Sequence, residues 1–323
     1  MRSSCAKRCG HAPVPARIRA ESARLIAIGL IVLTLISCES DSGEELIPPF
    51  EPYARRDGVD YLDYAALGDA GTGTVDQRLV ASSLRTYALA NPIAFIAYLG
   101  DNFYPAGVES VSDAKWESVF EGIYDSTTFD MPFYAVLGNH DYRGNILAQI
   151  DYVSPHDDRW QMQARYYSRS DTLPDSTVID FFYLDTNSIA VGDEEQLQWL
   201  DGALSASNAR WKIVIGHHVL YSFGQHGNNQ TLINELQPLL DDRVDLYLAG
   251  HEHDMQILEP LSGVSYVVCG AGGDTRPTGV GDTTIMAVSE LGFMGFLISG
   301  EELVCRVYDG SSRLLFSAVL KVK

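Results

Sequence analysis

Positive charge is scarce in this chain. Its 323 residues carry 23 Lys and Arg against 43 Asp and Glu, a formal net charge of −20. Six of those cations (Arg2, Lys7, Arg8, Arg17, Arg19 and Arg24) and one acid, Glu21, lie in the first 24 residues. Without that segment 17 cations face 42 acids, a net charge of −25. So acidic a surface repels a phosphate backbone, which excludes a nucleic-acid partner. It also repels anionic substrates at long range. Phosphoryl chemistry would therefore need strong local positive charge, which bound metal ions supply. Solvation in a salty medium accounts for the surface charge without invoking a partner.

Cysteine is scarcer still, at five residues. Cys5 and Cys9 belong to the basic leader, which leaves Cys38, Cys269 and Cys305. That is no disulfide framework. Cys269 and Cys305 sit in apolar runs and read as buried thiols; a bridge between neighbouring strands is the alternative in an oxidising compartment. The apolar run Leu25–Ile36 is a dozen residues long, short of the roughly 20 that span a bilayer. A basic segment, a short apolar core and a small residue before a cut site make an export signal, here residues 1–37. Leu35-Ile36-Ser37-Cys38 resembles a bacterial lipobox, which makes Cys38 the lipidated first residue of an exported, membrane-anchored protein. An ordinary signal peptide with an incidental Cys38 is the competing reading. Residues 38–57, acidic and proline-containing, read as a tether.

Residues 58–323 carry no internal linker, repeat or low-complexity stretch and read as one domain. Apolar strand-like runs alternate with helical spacing. Strands are expected at 61–67, 93–99, 133–137, 178–184, 211–215 and 244–248, and helices at 75–89, 116–124, 194–204 and 232–240. That order predicts α/β architecture. From Met255 onward short strand-like runs dominate, at 265–269, 284–288, 292–298, 303–308 and 314–320, and antiparallel hairpins on a second sheet are expected there.

Polar clusters follow five of the strands directly. They are Gly68-Asp69, Gly100-Asp101-Asn102-Phe103-Tyr104, Gly138-Asn139-His140-Asp141, Gly216-His217-His218 and Gly250-His251-Glu252-His253. Sites in α/β sheets form at the carboxyl ends of strands, so the clusters should share one rim, with each Gly allowing a sharp turn. Gly-Asp alone is usually a turn; the ordered set is specific. Carboxylates, an amide oxygen and imidazoles suit Fe, Mn or Zn better than a thiolate-binding metal. A bridging Asp would hold two metals about 3.5–4 Å apart.

The set resembles the metallophosphoesterase superfamily, and Gly100-Asp-Asn-Phe-Tyr104 resembles the small, mammalian-type purple acid phosphatases. The resemblance runs from about Tyr64 to the C-terminus and includes Gln225-His-Gly227. It implies a four-layer αββα fold of two packed mixed β-sheets flanked by helices. It also implies that Asp69, Tyr104 and His253 hold Fe(III), that Asn139, His217 and His251 hold a divalent Fe, Zn or Mn, and that Asp101 bridges. Tyr104 is the distinctive ligand, because a phenolate favours Fe(III) and its charge transfer colours the protein. His140 would protonate the leaving group and His226 would orient substrate or nucleophile. His218 reads as local packing and His156 as an exposed loop residue. One departure is Ala70, where the small purple phosphatases usually carry an aromatic. It alters the pocket wall and leaves the ligand in place.

The expected activity is hydrolysis of phosphate monoesters, with metal-bound hydroxide as nucleophile. Two other readings share these residues. One is a Mn- or Zn-dependent phosphodiesterase or nucleotide pyrophosphatase, against which Tyr104 argues. The other is a non-catalytic surface module that binds metal or phosphate, against which the intact His140 argues.

Overall fold

The computed structural model describes residues 43–154 and 158–323. The segment expected to be an export signal, Cys38 and His156 lie outside the described residues. The strands are β1 (Leu62–Leu67), β2 (Phe95–Tyr98), β3 (Phe133–Ala135), β4 (Trp160–Gln161), β5 (Tyr167–Thr172), β6 (Val178–Tyr183), β7 (Trp211–Ile215), β8 (Leu246–Ala249), β9 (Met255–Leu261), β10 (Val264–Cys269), β11 (Thr284–Val288), β12 (Gly292–Ile298), β13 (Glu302–Asp309) and β14 (Leu314–Val322). They form two seven-stranded sheets, ordered β14-β13-β12-β1-β2-β3-β4 and β11-β9-β10-β8-β7-β6-β5. Each is mixed. β1 to β4 run parallel in the first sheet, and β6, β7, β8 and β10 in the second.

Side-chain alternation explains the layering. In β7, Trp211, Ile213 and Ile215 face the larger core, while Val214 faces a second one. β8 repeats this with Leu246 and Leu248 against Tyr247 and Ala249. Successive side chains of a strand point to opposite faces, so strands apolar at every position are buried on both. Helices α3 (Thr186–Ile189), α4 (Glu194–Ala206), α5 (Gln230–Glu235) and α6 (Gln237–Leu240) cover the outer face of the second sheet through Ile189, Leu200, Leu204, Leu232 and Leu240. Helix α1 (Val75–Ala90) packs on β12 and β13; α2 (Ile146–Ile150) follows the β3 loop. Between the sheets, Tyr64 stacks on its cross-strand neighbours Phe95 and Phe296, with centroids 4.8 and 4.9 Å away, and meets Phe181 of the other sheet edge-on at 5.7 Å. Such geometries add to the burial of the rings.

The structure corrects several expectations. The strands after Met255 do not form a second sheet of their own. β9, β10 and β11 extend the sheet of β6 to β8, and β12, β13 and β14 return to lie beside β1. The helix expected over 232–240 is two short helices, divided before Pro238, whose missing N–H cannot continue a helix. Residues 116–121 form a π-helix. The described end of the acidic tether is docked. Leu46 bridges Ala287 of β11, Phe50 packs on Phe316 at 5.5 Å, and the Tyr53 hydroxyl donates to Glu302 at 2.7 Å.

Candidate metal centre

The loops after β1, β2 and β3 in one sheet meet those after β7 and β8 in the other. Asp69, Asp101 and His251 stand at φ 56°, 52° and 70°, a left-handed conformation that costs a non-glycine residue about 1–2 kcal/mol. The sharp turns are thus made largely by the polar residues themselves. The glycines serve close approach. A Cβ on Gly138 would stand 2.2 Å from Asp101 Oδ1, and one on Gly250 2.6 Å from Asp69 Oδ2.

Two sets of donor atoms result. The Tyr104 hydroxyl lies 3.0 Å from Asp69 Oδ1, 2.9 Å from Asp101 Oδ2 and 3.2 Å from His253 Nε2. On the other side, His217 Nε2 lies 3.2 Å from Asn139 Oδ1, 3.3 Å from His251 Nδ1 and 3.6 Å from Asp101 Oδ1. Asp101 therefore offers one oxygen to each set. His217 Nδ1 faces the Leu99 carbonyl oxygen at 2.9 Å, which accepts only, so the proton sits on Nδ1 and Nε2 presents a lone pair. That lone pair faces the amide oxygen of Asn139. Acceptors converging without a shared proton repel, and a cation between them reverses the sign. The residues fit a metal pair.

The electrostatics agree. Burial, then the charge of Asp101, holds the Asp69 carboxyl far above its usual range. Burial pushes the Tyr104 phenol up, and both carboxylates push it further. Burial also opposes the charge of Asp101, but His217 and the His140 amide outweigh it and hold this carboxyl below its usual range. Burial pushes the imidazoles toward the neutral form. Burial lowers His217; burial and His217 lower His251; burial and then the charge of Arg276 lower His253 to about 4. Neutral imidazoles are the form that binds metal.

Residues 67–255 match the calcineurin-like phosphoesterase family. Purple acid phosphatase 7 of Arabidopsis thaliana is 31% identical over 287 residues, covering 80% of this chain and 86% of its own. This chain belongs to the purple acid phosphatase family. Human tartrate-resistant acid phosphatase type 5 is 34% identical over 204 residues, 57% of this chain and 62% of that one. Among solved structures, GAP50, described as the anchor in the inner membrane complex of Plasmodium, superposes with a TM-score of 0.75 at 27% identity, covering 82% of this chain and 90% of that one. Purple acid phosphatase PPD1 of yellow lupin shares the fold at a TM-score of 0.60 and 17% identity, covering 80% and 53%. A dinuclear metal centre goes with the family.

Around this purple acid phosphatase centre stand residues to which sequence reasoning assigned no role. Buried Asp141 accepts from the amides of Gly138 at 2.8 Å and Asn102 at 3.1 Å and from Gln149 Nε2 at 2.9 Å, tying the β2 and β3 loops together. Buried Glu252 accepts from the amides of His226 and Gly227 and meets His226 Nδ1 at 3.1 Å. Asp274 meets His253 Nδ1 at 3.3 Å. Asp141 and Glu252 were visible inside the clusters, but nothing in their spacing separated support from ligand. His140 stacks on Tyr104 at 4.3 Å and points Nδ1 at the Pro105 carbonyl at 2.8 Å, with Nε2 3.9 Å from Asp101. His226 stacks on His251 at 4.3 Å. His218 packs against His251, with ring centroids 4.5 Å apart. One of its ring nitrogens lies within 4.8 Å of those of His217 and His251, while Nδ1 is bonded to Thr186 Oγ1 at 2.9 Å.

Proposed function

We propose that this chain hydrolyses phosphate monoesters at a metal pair. Asp69, Tyr104 and His253 hold a ferric ion. Asn139, His217 and His251 hold a divalent Fe, Zn or Mn, and Asp101 lies between. The observation that carries the reading is the division of Asp101, with Oδ2 2.9 Å from the Tyr104 hydroxyl and Oδ1 3.6 Å from His217 Nε2. The bound cations supply charge neutralisation at the phosphoryl group and a water of lowered pKa.

The chain's own residues do the rest. The Pro105 carbonyl takes the Nδ1–H of His140, so the imidazolium form carries its second proton on Nε2, passes it to the departing ester oxygen and is left as the neutral ring. Glu252 holds the loop of His226, whose ring lies against His251 and orients what enters. The test is turnover of an aryl phosphate by the full chain, with metal analysis and a visible spectrum. A band that bleaches or shifts on reduction supports iron on Tyr104. A colourless protein that prefers diesters would instead be the Mn- or Zn-dependent phosphodiesterase.

The likeness to GAP50 gives the non-catalytic reading a specific basis. The complete donor set and the placement of His140 support the enzyme. We also propose export and lipidation at Cys38 as the sole membrane contact. Among the described residues no helix is long and apolar enough to cross a membrane. Mass spectrometry of the mature N-terminus tests this.

A further inference from the structure

A cavity of about 450 Å³ opens beside the metal centre, lined by Thr72, Tyr104, His140, His253, Asp274 and Arg276 among others. Arg276 brings a permanent positive charge to it. The guanidinium has no hydrogen bond or ion pair with any described residue, although the protein is strongly acidic overall. Asp274, two residues away, is engaged by His253 instead. Elsewhere Arg159, Arg165, Arg169 and Arg243 are matched to carboxylates.

The backbone carrying Arg276 is pinned at both ends. Its amide donates to the His253 carbonyl at 2.8 Å, and the Thr278 amide donates to Ser289 Oγ at 2.8 Å. On the near side Thr72 Oγ1 donates to the Gly273 carbonyl at 3.4 Å. A placed, uncommitted guanidinium in a cavity shared with His140 and His253 is an anion receptor, since its planar fork matches carboxylate and phosphate oxygens.

We propose that Arg276 reads a second anionic group on the substrate, phosphoryl or carboxylate, next to the scissile phosphate. This rests on the phosphomonoesterase reading and names the substrate class of that site. The scissile group would sit at the metal pair, and Arg276 at the half-exposed cavity wall takes the other anion. The acidic surface discourages doubly charged molecules at long range, so the local cation decides which are retained.

The test uses the metal-loaded full chain and matched pairs: ethyl phosphate against 2-carboxyethyl phosphate and diphosphate, and methylphosphonate against methylenediphosphonate in calorimetry. Wild type should favour the two-anion member of each pair. Arg276→Gln should lower kcat/KM for the two-anion substrates by about 10- to 100-fold, mainly through KM, and weaken methylenediphosphonate equally. Ethyl phosphate should change by no more than about threefold, and Arg276→Lys should recover part of the loss. Equal losses on ethyl phosphate and diphosphate would overturn the proposal, as would a wild type without preference. If wild type hydrolyses no ester, the functional reading fails, while the phosphonate titrations still report on Arg276.

Discussion

The amide of His251 donates to Asp69 Oδ2 at 2.7 Å, while Asp69 Oδ1 faces Tyr104. Asp69 follows a strand of the first sheet and His251 a strand of the second, so one carboxylate both lines the candidate metal site and clasps the sheets. The clasp carries a cost, because Asp69 is fully buried beside Asp101, whose charge opposes its own.

Asp69→Asn keeps an acceptor for His251 and removes the charge. In metal-free protein this variant should be the more stable, by about 0.5–2 kcal/mol. Wild type should gain the larger increase in Tm on adding metal, because a ligand that binds only the folded state stabilises it. Calorimetric scans with and without chelator check both. A metal-free variant melting below wild type would remove the idea that the site stores repulsion.

Asp141→Asn turns one acceptor into a donor that faces the amide of Gly138 or Asn102. A cost of about 1–3 kcal/mol is expected, with metal affinity lower by about 10- to 100-fold because the loops carrying Asp101 and Asn139 loosen. Denaturant melts and metal titration measure the two effects separately.

Gly138→Ala and Gly202→Ala should differ in sign. The first places a Cβ 2.2 Å from Asp101 Oδ1 and should abolish metal binding; the second has nothing within 4 Å. Gly202 lies within α4, so alanine there should add up to about 1 kcal/mol of stability.

His140→Ala should retain both metals and the visible band while losing about 10²- to 10⁴-fold in kcat. Metal analysis, absorption and steady-state rates on one preparation decide it. Full turnover would assign the proton to another group.

How much was legible follows from which signals are local. The strands Trp211–Ile215, Thr284–Val288 and Gly292–Ile298 lie where their apolar runs place them. Strand β5 escaped notice because Tyr-Ser-Arg-Ser-Asp-Thr is a sheet edge with alternate side chains half in solvent. Strand β9 escaped because it ends in an exposed, proline-containing segment. The docking of Leu46 and Tyr53 was hidden because their partners, Ala287 and Glu302, lie over 200 residues away.

The sequence by itself determined the chemistry on offer: Asp69, Asp101, Tyr104, Asn139 and the histidines, each a short step beyond a strand. That information is local, since a strand end and the polar group behind it are adjacent in the chain. Only the tertiary structure decided that these ends come from two sheets, that Asp101 divides its oxygens between two sets of donor atoms, and that Arg276 stands in the same cavity with no hydrogen-bond or ion-pair partner for its guanidinium among the described residues. Those are distances between residues far apart in the chain, and they are settled by how the sheets pack.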